Sequence, residues 1–316
     1  MQYEQSLTAI VGNRHAARRG LTLVELLVVV VILGMIASMV LVGLSGTQNN
    51  AREAKTRGTI AKLHTLIMEK YDSYMSRRVP ISIPPQTQPR QAALLRLNAL
   101  RDLMRLEMPE RHADYLQPTN IFTTLPSVTR AYISRANPSK SHSEFTRFES
   151  AECLYMIVAY GLGEADGLSQ FGETEIGDFD GDGMKEFLDA WGRPISFLRW
   201  APRFDSAVQF PNRDVENSVR NQQFLDKHHD PYDLLRVDEH AYALYPLIYS
   251  GGADQGYDIE VKNVPFQYRD PYFTDNGRGT RNQNGTTNKT LAGDTDPGGV
   301  EENWHDNITN HELLNP

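Results

Sequence analysis

The hydrophobic positions of this chain form one unbroken run near the N-terminus and shorter periodic segments after it. Residues 21–44 are apolar apart from Thr22, Glu25, Ser38 and two glycines, and the run contains no basic side chain. A helix of this length measures about 36 Å at 1.5 Å per residue, which is enough to span a hydrocarbon layer of ~30 Å. The run therefore predicts a transmembrane helix over residues 21–44.

Residues 45–79 continue the helix with a different pattern. Apolar side chains recur there at intervals of three and four residues, while charged side chains occupy the other faces. This period is typical of an amphipathic helix that lies on a folded body. The side chains predicted to face the body are Ile60, Leu63, Ile67, Tyr71 and Tyr74. All 17 prolines lie at or after Pro80, so no proline interrupts the helix.

The remainder of the chain mixes helical and strand patterns. Helical periods cover residues 90–108 and 147–160, and apolar or aromatic runs bounded by turns predict strands at residues 195–200 and 241–249. The predicted fold class is therefore α+β, in which the long N-terminal helix packs on a small antiparallel sheet with helical insertions. The aromatic side chains expected in the core are Trp191, Phe197, Trp200, Tyr242, Tyr245 and Tyr249.

Two domain boundaries follow from these patterns. Residues 80–273 are predicted to form the head, which begins with a proline-rich linker. Residues 274–316 are rich in polar side chains and are predicted to form a partly disordered C-terminal segment.

The distribution of charge predicts how the chain is oriented in the membrane and argues against one class of partner. Arg14, Arg18 and Arg19 precede the apolar run, and basic residues stay on the cytoplasmic side of a membrane. We therefore expect the N-terminus in the cytoplasm and the head in the periplasm or outside the cell. The formal net charge is −8, which argues against nucleic acid as a partner because phosphate binding needs a basic surface.

The cysteine count and the absence of common enzyme motifs argue against several classes of site. The single cysteine, Cys153, excludes an internal disulfide and a cysteine-built zinc or iron–sulfur site, and we expect it to be a small buried side chain. His228 and His229 could ligate a transition metal, but a solvated loop is the favoured interpretation because adjacent side chains rarely face one ion. His305 and His311, six residues apart, do not fit a helical zinc pair. The sequence contains no GxSxG, Walker, HExxH or dinucleotide motif, so we expect a protein that is not an enzyme.

Glu25 is the unexpected residue of the apolar run. A secretory signal peptide is a poor explanation, because its apolar core is usually about 7–15 residues long. An ordinary membrane anchor has no use for a carboxylate at this position, since insertion of such a group costs about 2.5–3.5 kcal/mol. Glu25 is therefore expected to be functional and to have a partner.

The segment RRGLTLVELLVVVVILGMIAS resembles the class III signal of type IV prepilins and type II secretion pseudopilins. The resemblance implies that residues 1–20 are a leader peptide, that prepilin peptidase cuts after Gly20 on the cytoplasmic face, and that the new N-terminus at Leu21 is methylated. It also implies that Glu25, as fifth mature residue, pairs with the α-amino group of a neighbouring subunit. Leu21 departs from the usual Phe, and Val42 stands where many family members have Pro.

The same resemblance implies partners and a location. The chain would lie in the bacterial inner membrane as a single-pass precursor and would then be extracted into a filament. Its partners would be copies of itself, other pseudopilins, prepilin peptidase and the inner-membrane assembly platform. Secretion, DNA uptake and adhesion all remain open as the role of the filament, as does a major or a minor subunit. The alternative class is a membrane-tethered periplasmic hydrolase or binding protein with a calcium site.

An acidic loop carries the clearest candidate metal site. Carboxylates at alternating positions before a glycine converge on one cation, and calcium is the ion that such a loop suits. The candidate ligands are Asp178, Asp180, Asp182, the backbone carbonyl of Met184, Glu186 and Asp189. The flanking residues lack the helical pattern of an EF-hand, so we expect a calcium loop of another kind; a solvated acidic turn is the alternative.

A second acidic loop lies closer to the C-terminus. The stretches LDAWGRPISFLRW and YALYPLIYSGGADQGYDI resemble the C-terminal signature of the major pseudopilin of type II secretion. The resemblance implies a calcium site with Asp254 and Asp258 as side-chain ligands. One shared site and two separate sites both remain open.

Overall fold

The computed structural model describes residues 22–118, 122, 124–136, 148–162, 166–202, 204, 206–209, 228–238, 241–259 and 306–313, with the backbone alone at 41–45. The chain separates into two units, Met1–Gln48 and Asn49–Pro316. The expected leader at residues 1–20, His305, and most of the segment 274–316 lie outside the described residues.

One helix dominates the N-terminal part of the chain. Helix α1 (Leu23–Ser73) contains 51 residues, which corresponds to about 77 Å. It is continuous through residues 42–46, and a 3-10 turn (Tyr74–Ser76) follows it. Its segment Leu23–Val40 is long and apolar enough to cross a membrane, judged by length and composition.

The second unit contains short helices and shorter strands. The helices are α2 (Pro89–Glu107), α3 (His112–Leu116), α4 (Ser127–Arg135), α5 (Glu149–Met156), α6 (Asp166–Ser169) and α7 (Asn310–Leu313). The strands are β1 (Ile176–Gly177), β2 (Glu186–Phe187), β3 (Ser196–Leu198), β4 (Leu247–Ser250) and β5 (Ile308–Thr309). A π-helical turn (Ile157–Gly161) continues α5.

The described strands form two antiparallel sheets. β1 pairs with β2, which makes a hairpin around the first acidic loop. β4 lies between β3 and β5, with Phe197 opposite Ile248 and Tyr249 opposite Thr309. The molecule is therefore an α+β protein with an apolar N-terminal helix and small antiparallel sheets, as the sequence predicted.

The face of α1 predicted to lie on the body is buried in the second unit. Ile60, Leu63, Ile67, Tyr71 and Tyr74 all belong to the main hydrophobic core. The Tyr71 hydroxyl donates to the Leu244 carbonyl (3.0 Å), and the Tyr232 hydroxyl donates to the Tyr71 carbonyl (2.7 Å). The periodicity of the sequence thus identified the correct face.

The aromatic residues assigned to the core divide into two groups. Phe197, Trp200, Tyr242 and Tyr249 are buried, as predicted. Trp191, at a turn, and Tyr245, in an irregular segment, are half-buried. Cys153 is buried and free, as expected.

Two strand boundaries differ from the sequence-based prediction. The predicted strand at 241–249 forms only from Leu247, because the amide of Ala243 donates to His228 (2.7 Å) and that of Tyr245 donates to Gln209 (3.0 Å). The strand predicted at 195–200 is confined to Ser196–Leu198.

Candidate functional site

The first turn of α1 holds Glu25 in a capping box. The amide of Thr22 donates to Glu25 Oε2 (2.9 Å), and the amide of Glu25 donates to Thr22 Oγ1 (3.2 Å). The Thr22 hydroxyl also donates to Glu25 Oε2 (3.0 Å). Such reciprocal bonds satisfy amide groups that a helix N-terminus leaves without partners. Glu25 therefore has local partners within its own chain, while Gly20 and Leu21 lie outside the described residues.

In the first acidic loop, backbone amides donate hydrogen bonds to the carboxylates of the same loop. Gly181 and Gly183 have φ angles of 74° and 94°, which turn the chain in a conformation that glycine tolerates. Asp178 accepts from the amides of Asp182 (3.0 Å) and Gly183 (2.9 Å). Asp182 Oδ1 accepts from the amide of Met184 (2.6 Å). The loop is thus ordered by hydrogen bonds from its own backbone.

Three carboxylates of this loop come together as the spacing predicted. Asp178, Asp180 and Asp182 each contribute an oxygen to a group in which all oxygens lie within 4.8 Å of one another. Asp178 and Asp180 are exposed, whereas Asp182 is buried and its Oδ2 has no hydrogen-bond partner in the described part of the chain. The group offers an all-oxygen ligand set, which hard cations prefer.

A second group joins the loop to helix α5. Glu152 of α5, Asp180 of the loop and Glu186 of β2 also bring oxygens within 4.8 Å of one another. Glu186 accepts the amide of Phe179 on Oε2 (2.9 Å). Burial raises the pKa of Glu186 to about 8, and the charges of Glu152, Asp180 and Asp178 act in the same direction. The sequence pattern named Asp180 and Glu186, but it did not find Glu152.

The imidazole of His112 lies next to the carboxylate of Glu152. His112 Nε2 lies 2.7 Å from Glu152 Oε2, and His112 Nδ1 lies 3.0 Å from the Tyr115 hydroxyl. Burial lowers the pKa of His112 to about 4, so the ring is neutral at pH 7.

Asp189 lies apart from the two carboxylate groups, and the predicted role of the Met184 carbonyl stays a prediction. Asp189 Oδ1 accepts from the amides of Trp191 (2.8 Å) and Arg193 (2.9 Å), and Oδ2 accepts from the Ser250 hydroxyl (2.6 Å). Asp189 therefore ties a turn to β4 and belongs to neither carboxylate group. The Met184 side chain is buried in a small cluster around Cys153.

In the second acidic loop, the carboxylates of Asp254 and Asp258 both lie next to Gly256. A side chain at Gly256 would meet Asp258 Oδ2 at 3.0 Å and Asp254 Oδ1 at 3.3 Å. Asp306, next to β5, accepts the amide of Asp254 on Oδ2 (3.2 Å). Burial, together with the charge of Asp254, raises the pKa of Asp306. Asp306 is thus a further acidic neighbour that the sequence pattern did not identify.

The described histidines do not contribute to either carboxylate group. His311 is buried, with Nδ1 2.9 Å from the Ser206 hydroxyl and Nε2 3.2 Å from the Pro246 carbonyl. Burial lowers the pKa of His311 to about 4. His229 is exposed and forms a bridge with Tyr242.

Comparison with known proteins identifies the N-terminal segment. Residues 15–41 match the family model of the prokaryotic N-terminal methylation motif. Together with the apolar part of α1, this match is consistent with a class III prepilin-like signal of a pilin or pseudopilin. No curated protein and no solved structure is significantly similar to the chain.

Proposed function

We propose that this chain is the precursor of a structural subunit in a type IV pilus-like or type II secretion pseudopilus filament. The observation that carries the proposal is the methylation motif at residues 15–41, which leads directly into the apolar helix. The motif supports a type IV pilin-like or pseudopilin precursor and suggests a structural rather than an enzymatic protein. Prepilin peptidase would cut after Gly20, and Leu21 would then be N-methylated.

The exposed apolar surface of α1 supports an assembly function. From Leu23 to Val40 the side chains are exposed in the single chain. An apolar surface of this extent must be covered, either by lipid or by other protein. We infer that the inner membrane covers it before assembly and that the same segments of neighbouring subunits cover it in the filament. The head would face the periplasm, because Arg14, Arg18 and Arg19 would stay in the cytoplasm.

Glu25 would set the axial position of each subunit in the filament. Its carboxylate is exposed and bonds only through the first turn of its own helix among the described residues. A carboxylate with spare acceptor capacity can also accept from the α-amino group of a neighbouring subunit. That contact would neutralise two charges in an apolar environment, where isolated charges are costly.

Calcium would stabilise the head through the first acidic loop. Asp178, Asp180 and Asp182 supply the oxygen ligands, and their closeness is costly without a cation because like charges repel. Calcium at Asp254 and Asp258 is the second proposed site. Either ion would order a surface that neighbouring subunits contact.

The experiment is incorporation of variants into filaments in a host that carries the assembly machinery. Glu25→Ala should reduce incorporation strongly, because the mature N-terminus of the neighbour loses its partner. Thr22→Val is the matched control: it removes the hydroxyl from the capping box and leaves the carboxylate of Glu25 in place. We expect the control to retain most incorporation, measured as the fraction of the protein in sheared filaments.

Two results would contradict the proposal. Normal incorporation of Glu25→Ala would remove the proposed role of the carboxylate. Absence of the wild-type protein from filaments, with an enzymatic activity that Glu25→Ala leaves unchanged, would favour the membrane-tethered hydrolase instead.

A further inference from the structure

The carboxylates of Glu152 and Glu186 face each other in the interior of the head. Glu152 is 1% exposed to solvent, and Glu186 is 0% exposed. With the exposed Asp180, they bring three oxygens within 4.8 Å of one another. Oε1 of Glu186 has no hydrogen-bond partner among the described residues. A buried acceptor without a partner is costly, so this oxygen points to a missing ligand.

Two other buried carboxylates of the head, those of Glu107 and Asp114, have cationic partners. Glu107 lies 2.7 Å from Arg77 and 3.1 Å from Lys70. Asp114 lies 2.9 Å from Arg105. Within the described ranges, no lysine or arginine is paired with Glu186. Glu186 is therefore a buried carboxyl group beside two further carboxylates, without a Lys or Arg partner among the described residues.

A hard divalent cation fits the space between these oxygens. Two oxygens that bind calcium at 2.3–2.6 Å lie at most about 4.6–5.2 Å apart, which agrees with the 4.8 Å limit of the group. His112 Nε2 lies 2.7 Å from Glu152 Oε2. In metal sites such a contact orients a ligand without using the coordination position.

Asp189, one of the candidate ligands that the sequence indicated, is engaged in other hydrogen bonds. Both oxygens of Asp189 accept hydrogen bonds, from the turn that follows it and from Ser250 of β4. The loop therefore needs a carboxylate from a different element to close its coordination. Glu152 belongs to α5, and one of its carboxylate oxygens lies within 4.8 Å of oxygens of Asp180 and Glu186.

We propose that Glu152 of helix α5 is a cation ligand that takes the place of Asp189, so that a calcium-type ion is held between the loop and α5 by Glu152, Asp180 and Glu186. The ion would tie the β1–β2 hairpin to the helical core of the head. This inference rests on the calcium part of the proposed function and does not depend on filament assembly.

The test is a calorimetric titration of the full chain in detergent with calcium chloride. Glu152→Gln keeps the size of the side chain and removes its charge, and we expect it to weaken calcium binding at least about tenfold. Glu149→Gln is the matched control, because Glu149 lies on the same helix, accepts the amide of His112 and belongs to neither carboxylate group. The control should bind calcium within about twofold of wild type.

Thermal melts separate ligation from a purely structural role. Without calcium, Glu152→Gln should melt at the same temperature as wild type or higher, because it removes one of the crowded carboxylates. With calcium, it should gain less in melting temperature than wild type gains. A variant that melts lower without calcium would indicate that Glu152 serves the fold alone, and it would overturn the inference.

Hydrogen exchange of the wild-type chain supplies a readout that needs no variant. Calcium should slow amide exchange in α5 as well as in residues 178–186, and slowing in the loop alone would contradict ligation by Glu152. Unchanged calcium affinity in Glu152→Gln would refute this inference and leave the calcium proposal standing. A wild-type chain that does not bind calcium would refute both, and filament incorporation would still be tested separately.

Discussion

Asp114 and Glu186 are buried carboxylates with opposite surroundings. Asp114 accepts from Arg105 (2.9 Å) and from Arg199 (3.4 Å), and both arginines are buried. Burial alone would raise the pKa of Asp114, but the neighbouring arginines hold it at about 2. Glu186, without such a partner in the described part of the chain, has its pKa raised to about 8. The arginines thus favour the charged form of Asp114, whereas burial favours the neutral form of Glu186.

Asp114→Asn should destabilise the head strongly. The substitution leaves Arg105 and Arg199 buried without their carboxylate, and breaking a buried ion pair from one side costs about 3–5 kcal/mol in the free energy of unfolding. Urea denaturation at pH 7 measures this loss. Asp72→Asn on the exposed face of α1 is the control, because Asp72 is exposed, and it should change the free energy of unfolding by less than about 0.5 kcal/mol.

The contribution of Asp114 to the free energy of unfolding should decrease as the pH falls. The pKa of Asp114 is lowered from 3.8 to about 2 on folding. Its stabilising contribution is therefore fully present above about pH 4 and is lost as the pH falls towards 2. The difference between wild type and Asp114→Asn should shrink over this interval, and a constant difference would contradict the assignment.

The residues of the candidate sites differed in how far the sequence could predict them. Asp178, Asp180 and Asp182 were predictable, because their alternating spacing and the following glycine act within one loop. Glu152 was not, because it lies on a separate helix and reaches the loop only through the tertiary fold. Asp306 was not predictable either, because only the tertiary fold brings it close to Asp254.

At the scale of elements, α1 meets two environments with one continuous helix. Its apolar segment Leu23–Val40 is exposed in the chain, while further along it Ile60, Leu63 and Ile67 are completely buried in the second unit. A helix whose pattern changes from uniformly apolar to amphipathic is suited to lipid at one end and to a folded core at the other. The backbone stays helical at residue 42, where many members of the family that it resembles have Pro.

Leu63→Ala tests how much the buried face of α1 contributes to the head. Leu63 has no exposed surface and belongs to the main core, so removal of its side chain should lower the free energy of unfolding by about 2–5 kcal/mol. Glu69→Ala, on an exposed position of the same helix, should change it by less than about 0.5 kcal/mol. Chemical denaturation of both variants measures the difference. Equal effects would show that α1 does not stabilise the head.

Long periodic elements were predictable, and short non-local ones were not. α2 (Pro89–Glu107) agrees closely with the helix predicted at 90–108, because its apolar stripe extends over several turns. β5 contains two residues in a polar segment, and it becomes a strand only because β4 offers an open edge. A strand of this length has no period that a sequence pattern can reveal.

The whole molecule combines a methylation motif, an apolar helix and an acidic head. The motif covers residues 15–41, and its apolar part continues into α1. The described apolar side chains of the first unit, from Leu23 to Val40, are exposed in the single chain. The second unit has its own hydrophobic core and two acidic loops. This arrangement suits a subunit whose N-terminal segment moves from lipid to protein neighbours during assembly.

Mass spectrometry of the N-terminus of the protein purified from its native host tests the filament proposal most directly. We expect a chain that begins at Leu21 and carries one methyl group on its α-amino nitrogen, because prepilin peptidase would cut after Gly20 before assembly. A purified chain that retains residues 1–20, or one that is cut at a different bond, would contradict it.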